Sequence, residues 1–279
     1  MTKTICIYHA HCLDGFTAAW VVRLSTGPDT VMIPASYGDT PPDVTGADVY
    51  IVDFSYPREA LARLSTQART LVVLDHHQSA EQALRGLTLP NAEIRFDMTR
   101  SGAGLAWRWF YAGGELPPLL VDYVEDRDLW RHALSDSRAI NAYIANTDRT
   151  FEAWDQLAAD LEEDADPIAT AGATLLRQQA RFVEQGCDMT LRYMQIGGHR
   201  VPVANLPAYL ASDAGHLLAE GNPFAAIYFD SAEGRKFSLR STDAGLDVAQ
   251  IAQSYGGGGH RNAAGFKMPI GWEGDGVQG

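Results

Sequence analysis

Four places in the first half of the chain carry side chains that could hold metal ions or move protons. His9 and Asp14 bracket the turn His-Ala-His-Cys-Leu-Asp-Gly, with Cys12 between them. Asp53 closes the apolar run Val49-Tyr50-Ile51-Val52, and Asp75-His76-His77 closes Leu71-Val72-Val73-Leu74. Asp126 and Asp128 lie in Val-Glu-Asp-Arg-Asp-Leu-Trp, residues 124–130. Singly each is weak, since an aspartate after a strand often only caps the next helix and a lone histidine is more often packed than ligating. Four such places, three of them at the ends of β-type runs, are hard to obtain by capping alone. Imidazole and carboxylate donors without paired thiolates suit Mn²⁺, Fe²⁺, Co²⁺ or Zn²⁺ better than Ca²⁺. A carboxylate has two oxygens and can bridge two ions; Asp53, the middle one, is the candidate bridge. Two ions about 3.5–4 Å apart activate water and stabilise both the entering and the leaving oxygen of an in-line displacement at phosphorus.

A second constellation lies far downstream. Gly256-Gly257-Gly258-Gly259 runs into His260-Arg261-Asn262-Ala263-Ala264-Gly265. Four glycines can be a flexible linker. They can equally let successive backbone N–H groups close around an anion, with His260 and Arg261 adding donors and Arg240 reaching the same anion bidentately.

The elements that must position these residues follow a β-α-β-α rhythm. Strands are expected at Thr4–His9, Val31–Ala35, Val49–Val52 and Leu71–Leu74, with helices from Phe16 to Leu24 and from Pro57 to about Leu64, proline being tolerated at a helix start. That alternation argues for a parallel sheet covered on both faces, whose strand ends form the ligand crevice. Beyond Ser101 the pattern turns helical, with candidates at 104–111, 119–125, 137–145 and 169–184. The acids between Asp155 and Asp166 read as a solvated helix face. A second unit with strands near 201–204, 225–229 and 236–240, and a helix capped by Asp247, starts near Leu191. The expected class is therefore α/β: a parallel-sheet domain with a helical extension over 1–188, a smaller α/β domain over 192–270, and a glycine-rich tail, 271–279, expected to fray.

Charge narrows the partners. The formal net charge is −13, and because 195–270 balances six Lys/Arg against six Asp/Glu, −11 of it falls on residues 1–194. That excludes a general binder of long duplex nucleic acid, which needs a basic footprint, yet an acidic half can bind phosphates through divalent cations. Three scattered cysteines make neither a disulfide framework nor a zinc knuckle, and a cytoplasmic location is the simple expectation. No signal segment and no membrane span is expected.

Together these residues resemble the DHH phosphoesterase superfamily with its DHH-associated C-terminal substrate-binding domain, over about residues 3–268. Asp75-His76-His77 matches the name-giving triplet, and the glycine-histidine run with its following Ala-Gly matches the second signature. The superfamily includes nanoRNases that degrade very short oligonucleotides, dinucleotide phosphodiesterases, RecJ-like exonucleases and manganese pyrophosphatases. The resemblance implies two divalent cations, Mn²⁺ first with Co²⁺, Fe²⁺ or Zn²⁺ as alternatives. It implies His9 and Asp53 on one ion and Asp14, Asp53, His76 and Asp128 on the other, with Asp75 a ligand or an orienter of the site. It further implies His77 facing the substrate phosphate, and Arg240, Gly257, Gly258, Gly259, His260 and Arg261 holding the substrate's distal end.

Cys12 stands where many relatives have a carboxylate; it binds a softer ion, is replaced by His11, or leaves the first site weak. Asp128 is preferred to Asp126 because it immediately precedes Leu129-Trp130. The expected reaction is hydrolysis of short oligonucleotides or dinucleotides to mononucleotides by a two-metal hydroxide, since a processive nuclease would need a basic groove. The alternatives are a nucleotide phosphatase or cyclic-nucleotide phosphodiesterase, a RecJ-like exonuclease, and a weakened nucleotide-binding protein. A homodimer is left open.

Overall fold

The computed structural model describes residues 3–276. The chain divides between Leu176 and Arg177 into two compact units.

The first unit begins β1 (Thr4–His9), α1 (Leu13–Thr26), β2 (Val31–Ala35), β3 (Asp48–Val52), α2 (Arg58–Gln67), β4 (Thr70–Asp75), α3 (Gln78–Leu84) and β5 (Ala92–Phe96). The helices α4 (Gly102–Phe110), α5 (Leu119–Asp128), α6 (Ser137–Asn146), α7 (Phe151–Glu163) and α8 (Asp166–Thr190) follow. All five strands pair in parallel in the order β2-β1-β3-β4-β5. Both faces are covered. Ile5, Ile7, Val49, Ile51, Leu71 and Val73 pack with Leu61 and Leu64 of α2, while Cys6, Val52 and Leu74 pack with α1, α4 and the later helices. Alternate residues of each strand thus enter opposite cores, which is why these strands read as unbroken apolar runs.

The strand order reverses between β1 and β3, and in such sheets the crevice at the carboxyl ends of those strands is where ligands bind. His9 is the last residue of β1 and Asp53 the first beyond β3.

Helix α8 runs across the division, and the strands of the second unit begin at Arg192. The second unit continues with β6 (Arg192–Ile196), β7 (His199–Asn205), α9 (Ala211–Ala219), β8 (Ala225–Ser231), β9 (Gly234–Arg240), α10 (Val248–Ser254), β10 (Gly258–His260) and β11 (Ala263–Met268). These strands form one mixed sheet in the order β10-β11-β9-β8-β7-β6, with only β7 and β8 parallel. Helix α10 and Trp272 pack with one core, and α9 with Val183 and Cys187 of α8 belong to the other.

The expectation that 271–279 frays is corrected over its described part. Glu273 takes hydrogen bonds from Arg192 and from Arg235 Nη1 (3.0 Å for the latter), and Asp275 from Tyr255 Oη at 2.7 Å. Side-chain anchors thus override the freedom its glycines suggest; residues 277–279 lie outside the described residues. Among the described residues no helix is long and apolar enough to cross a membrane.

Candidate metal centre

Asp53 is the hub. Its backbone is left-handed, with φ 54°, a conformation uncommon outside glycine but tolerated by aspartate. It is held there by its N–H donating to Leu74 O at 2.9 Å. One carboxylate oxygen, Oδ1, lies 3.0 Å from His76 Nε2; the other, Oδ2, lies 3.5 Å from His9 Nδ1. Neither Oδ2 nor His9 Nδ1 has a hydrogen-bond partner, although both are buried. Buried polar atoms are almost always paired, so two that face each other unpaired mark a place for a missing ligand.

Around His76 the carboxylates crowd. Besides Asp53, Asp14 Oδ2 and Asp128 Oδ2 each stand 3.6 Å from the same Nε2. One imidazolium cannot neutralise three carboxylates. Burial alone would lower the His76 pKa, but the hydrogen bond to Asp53 and the charges of Asp128 and Asp14 hold it up, at about 10. Burial would likewise raise Asp53, yet the hydrogen bond with His76, the proximity of His9 and the charges of His77 and His76 hold its carboxyl well below the usual range. Asp14 and Asp128 go the other way, pushed up by desolvation and by the charge of Asp53. The excess of negative charge is what a divalent cation would relieve.

Among the described residues of the first unit, two groups of ligand atoms lie within coordinating reach of one another: His9, Asp53 and His77, and Asp14, Asp53 and His76. Asp53 belongs to both, one oxygen toward each. The residues present therefore fit a pair of divalent ions sharing Asp53. Imidazole and carboxylate donors leave the choice among Mn²⁺, Fe²⁺, Co²⁺ and Zn²⁺ open.

Asp75, expected as a ligand or an orienter, is fully engaged within the protein. Its Oδ1 accepts from the N–H groups of His76 (2.7 Å) and His77 (3.1 Å) and from His77 Nδ1 (2.7 Å), and its Oδ2 accepts from Ser55 Oγ at 2.6 Å. It belongs to neither ligand group; it orients the two histidines. That carboxylate fixes the His77 proton at Nδ1 and, with the charge of Asp53, raises the ring's pKa against the effect of burial.

Of the two aspartates at the end of α5, Asp128 joins His76 and Asp126 does not. Asp126 instead accepts from the Ala133 and Leu134 N–H groups at 2.9 and 3.4 Å and from Ser137 Oγ, binding the turn that leads into α6. Cys12 caps α1 without a side-chain hydrogen bond and enters neither ligand group. Burial and the charges of Asp53, Asp128 and Asp14 push its thiol up, opposite to what a thiolate ligand needs. His11 is exposed.

Several contributors were not legible in the sequence. Asp14 accepts from the N–H groups of Gly102 (2.5 Å) and Ala103 (2.9 Å), the first amides of α4, where a helix favours an anion. A Cβ on Gly102 would fall 2.4 Å from Asp53 Cβ, so only glycine lets α4 come this close. Glu125, buried, fixes the same helix start by accepting from Ser101 N–H at 3.1 Å and from Arg100 at 2.8 Å. Tyr37 packs against His9 and His77. Helix α4 was expected at 104–111, and the Ser-Gly-Ala-Gly run at its start was the signal for its close approach to the site.

In the second unit, the glycine run is a hairpin strand. Gly258, Gly259 and His260 pair with Gly265, Ala264 and Ala263 of β11. Gly256 and Gly257 donate their N–H groups to Gln253 O (3.0 Å) and Ala252 O (2.9 Å), closing α10, so those two amides are committed within the protein. Arg240 is held by Leu239 O and Ser212 Oγ, both at 2.8 Å, and pairs in register with Ala263. Arg261 donates to the carbonyls of Asp243 and Gly245 at 3.2 Å.

The model of the DHHA1 domain matches residues 208–273, which span that hairpin. Solved structures of the same fold cover nearly the whole chain. The pGpG-specific phosphodiesterase PggH of Vibrio cholerae aligns over 96% of this chain and 94% of its own, with TM-score 0.53 and 15% identity. The DHH domain of a member of a ribosomal-protein family covers 96% and 83%, with TM-score 0.58 and 14% identity. The second unit thus carries a DHHA1 match, and the chain as a whole shares the fold of these proteins. An exopolyphosphatase-related protein of Bacteroides fragilis shares the DHH fold, with TM-score 0.53 and 13% identity over 96% and 87% of the chains. In sequence, this chain is 26% identical to uncharacterized protein R106 of Acanthamoeba polyphaga mimivirus over 94% of its own length, and spans 66% of that protein.

Proposed function

We propose that this chain is a member of the DHH superfamily and a divalent-metal-dependent phosphoesterase that hydrolyses dinucleotides or very short oligonucleotides to mononucleotides. The observation that carries the reading is the sharing of Asp53 by two ligand groups at the switch point of the sheet. His9 and Asp53 would hold one ion, and Asp14, Asp53, His76 and Asp128 the other. When bound, such ions supply Lewis acidity to a phosphoryl oxygen and lower the pKa of water.

The chain's own residues do the rest. Asp75 holds the His77 proton at Nδ1, which leaves Nε2 as the ring atom to exchange a proton with a substrate oxygen. The amides of α4 keep Asp14 aimed at His76. Arg240 and His260 are the proposed donors to anionic groups of the substrate. The preference for a short substrate rests on the −11 charge of residues 1–194, which supplies no basic track for a long strand, and on the shared fold of PggH, a dinucleotide phosphodiesterase by its name.

The test is to incubate the purified protein with Mn²⁺ and a panel of linear dinucleotides, longer oligonucleotides, cyclic nucleotides and 3′,5′-bisphosphates, identifying products by mass. Mononucleotides from dinucleotides are expected. Release of inorganic phosphate alone would replace the reading by a phosphatase, stepwise shortening of long strands by an exonuclease, and no turnover with any metal would sink it.

A further inference from the structure

We propose that Tyr37 is a catalytic residue of this site, its phenolic hydroxyl donating a hydrogen bond to a non-bridging oxygen of the phosphoryl group under attack. The inference rests on the phosphoesterase reading above.

Tyr37 follows β2 in a turn closed by the Asp39 N–H donating to Ser36 O at 3.1 Å and the Ser36 N–H to Asp39 Oδ2 at 2.7 Å. Gly38, at φ 96°, reverses the chain directly behind it. The ring is wedged against Phe54 with centroids 5.0 Å apart, and edge-on to His9 at 5.6 Å and His77 at 6.1 Å. Phe54 is fully buried and packs on Tyr56, so the platform is fixed. Tyr37 therefore stands over one of the two ligand groups, on the side lined by both of its imidazoles.

Three features separate it from a core tyrosine. It remains 55% exposed, although rings of this size usually end up largely covered. Among the described residues its hydroxyl makes no hydrogen bond. And its surroundings are protein and carboxylates: burial, then the charges of Asp75 and Asp53, hold the phenol above its usual range. The role does not depend on that shift, because an ordinary phenol, pKa about 10, is already a neutral donor at pH 7.

The site needs such a donor. Its wall is built of acceptors (Asp14, Asp53, Asp75 and Asp128), and a phosphoryl group gains negative charge on its non-bridging oxygens as it is attacked. A preset neutral donor aimed there stabilises the transition state more than the ground state.

Tyr37→Phe keeps the ring and removes only the oxygen. In the Mn²⁺-loaded protein it is expected to lower kcat on the dinucleotide found by the panel by roughly 10- to 100-fold, with KM within about threefold. Calorimetric binding of inorganic phosphate to the Mn²⁺-loaded protein should weaken about tenfold by the same loss, while Mn²⁺ affinity stays unchanged. Turnover and phosphate binding within twofold of wild type would overturn the proposal; so would a loss seen only in Tyr37→Ala, which would assign the ring to stacking a base. If no substrate is turned over, the phosphoesterase reading fails, and the phosphate titration alone decides the assignment of Tyr37.

Discussion

The crevice of the parallel sheet and the glycine hairpin of the second unit draw on similar residues, histidine and closely packed glycine, and treat them oppositely. In the hairpin, the Gly256 and Gly257 amides close α10 and the guanidinium of Arg261 is spent on two carbonyls. In the crevice, Asp53 Oδ2 and His9 Nδ1 are buried without partners and three carboxylates press on one imidazole. Its hub residue is held in a left-handed conformation that costs about 1–2 kcal/mol. A fold tolerates such a concentration of unmet demand where a ligand completes it. Glycine serves both regions, at Gly102 to admit α4 to the metal centre and at Gly257 to seat a strand.

Each side of this contrast can be broken separately. The largest effect is expected from Gly102→Ala. Its methyl would meet Asp53 Cβ at 2.4 Å, so α4 must back away from Asp14 and Asp53; we expect Mn²⁺ affinity to fall by about 10- to 100-fold and turnover with it, measured by titration and by product mass. Gly257→Ala should leave the Mn²⁺ affinity of the first unit intact yet cost about 1–3 kcal/mol in urea unfolding, because its Cβ would lie 2.0 Å from Gly265 O. Loss of metal by that variant would blur the contrast.

Smaller still is Asp126→Asn, which removes a buried carboxylate used only for structure. Burial would raise that carboxyl, but hydrogen bonds from Ser137 and from the Ala133 and Leu134 amides lower it. A carboxyl lowered in the folded state contributes stability above its unfolded pKa, about 3.9, and loses it as pH falls through the folded one. The variant should therefore be less stable by about 1–2 kcal/mol at pH 7, and the gap should close below about pH 4 in pH-dependent denaturation.

Much of the first unit was legible in its sequence because parallel strands buried on both faces leave unbroken apolar runs, and β1 and β2 lie at Thr4–His9 and Val31–Ala35 as read. The edge strand β5 was not, since Ala-Glu-Ile-Arg-Phe is only half buried and carries no run. Nor was α3, whose seven residues bury only Leu84. In the site, the Asp and His at strand ends could be read because the sheet brings strand ends together. Gly102 and Glu125 could not, because each acts on a partner set by tertiary packing: Gly102 on Asp14, 88 residues away, and Glu125 on Ser101, 24 away. That the Gly256 and Gly257 amides close α10 was not legible, because sequence shows only that glycines leave amides open, and the end of α10 shows where these two go.

The central claim is that Asp53 joins two cation-binding groups in one crevice. Isothermal titration of metal-stripped protein with Mn²⁺ at fixed pH, wild type against Asp53→Asn, tests it most directly. The account predicts two bound ions in the wild type, with proton release on binding as the His76 imidazolium gives up its proton, and a loss of affinity of more than about 100-fold at both sites in the variant. Two ions bound by Asp53→Asn with wild-type affinity, or none by the wild type, would contradict it.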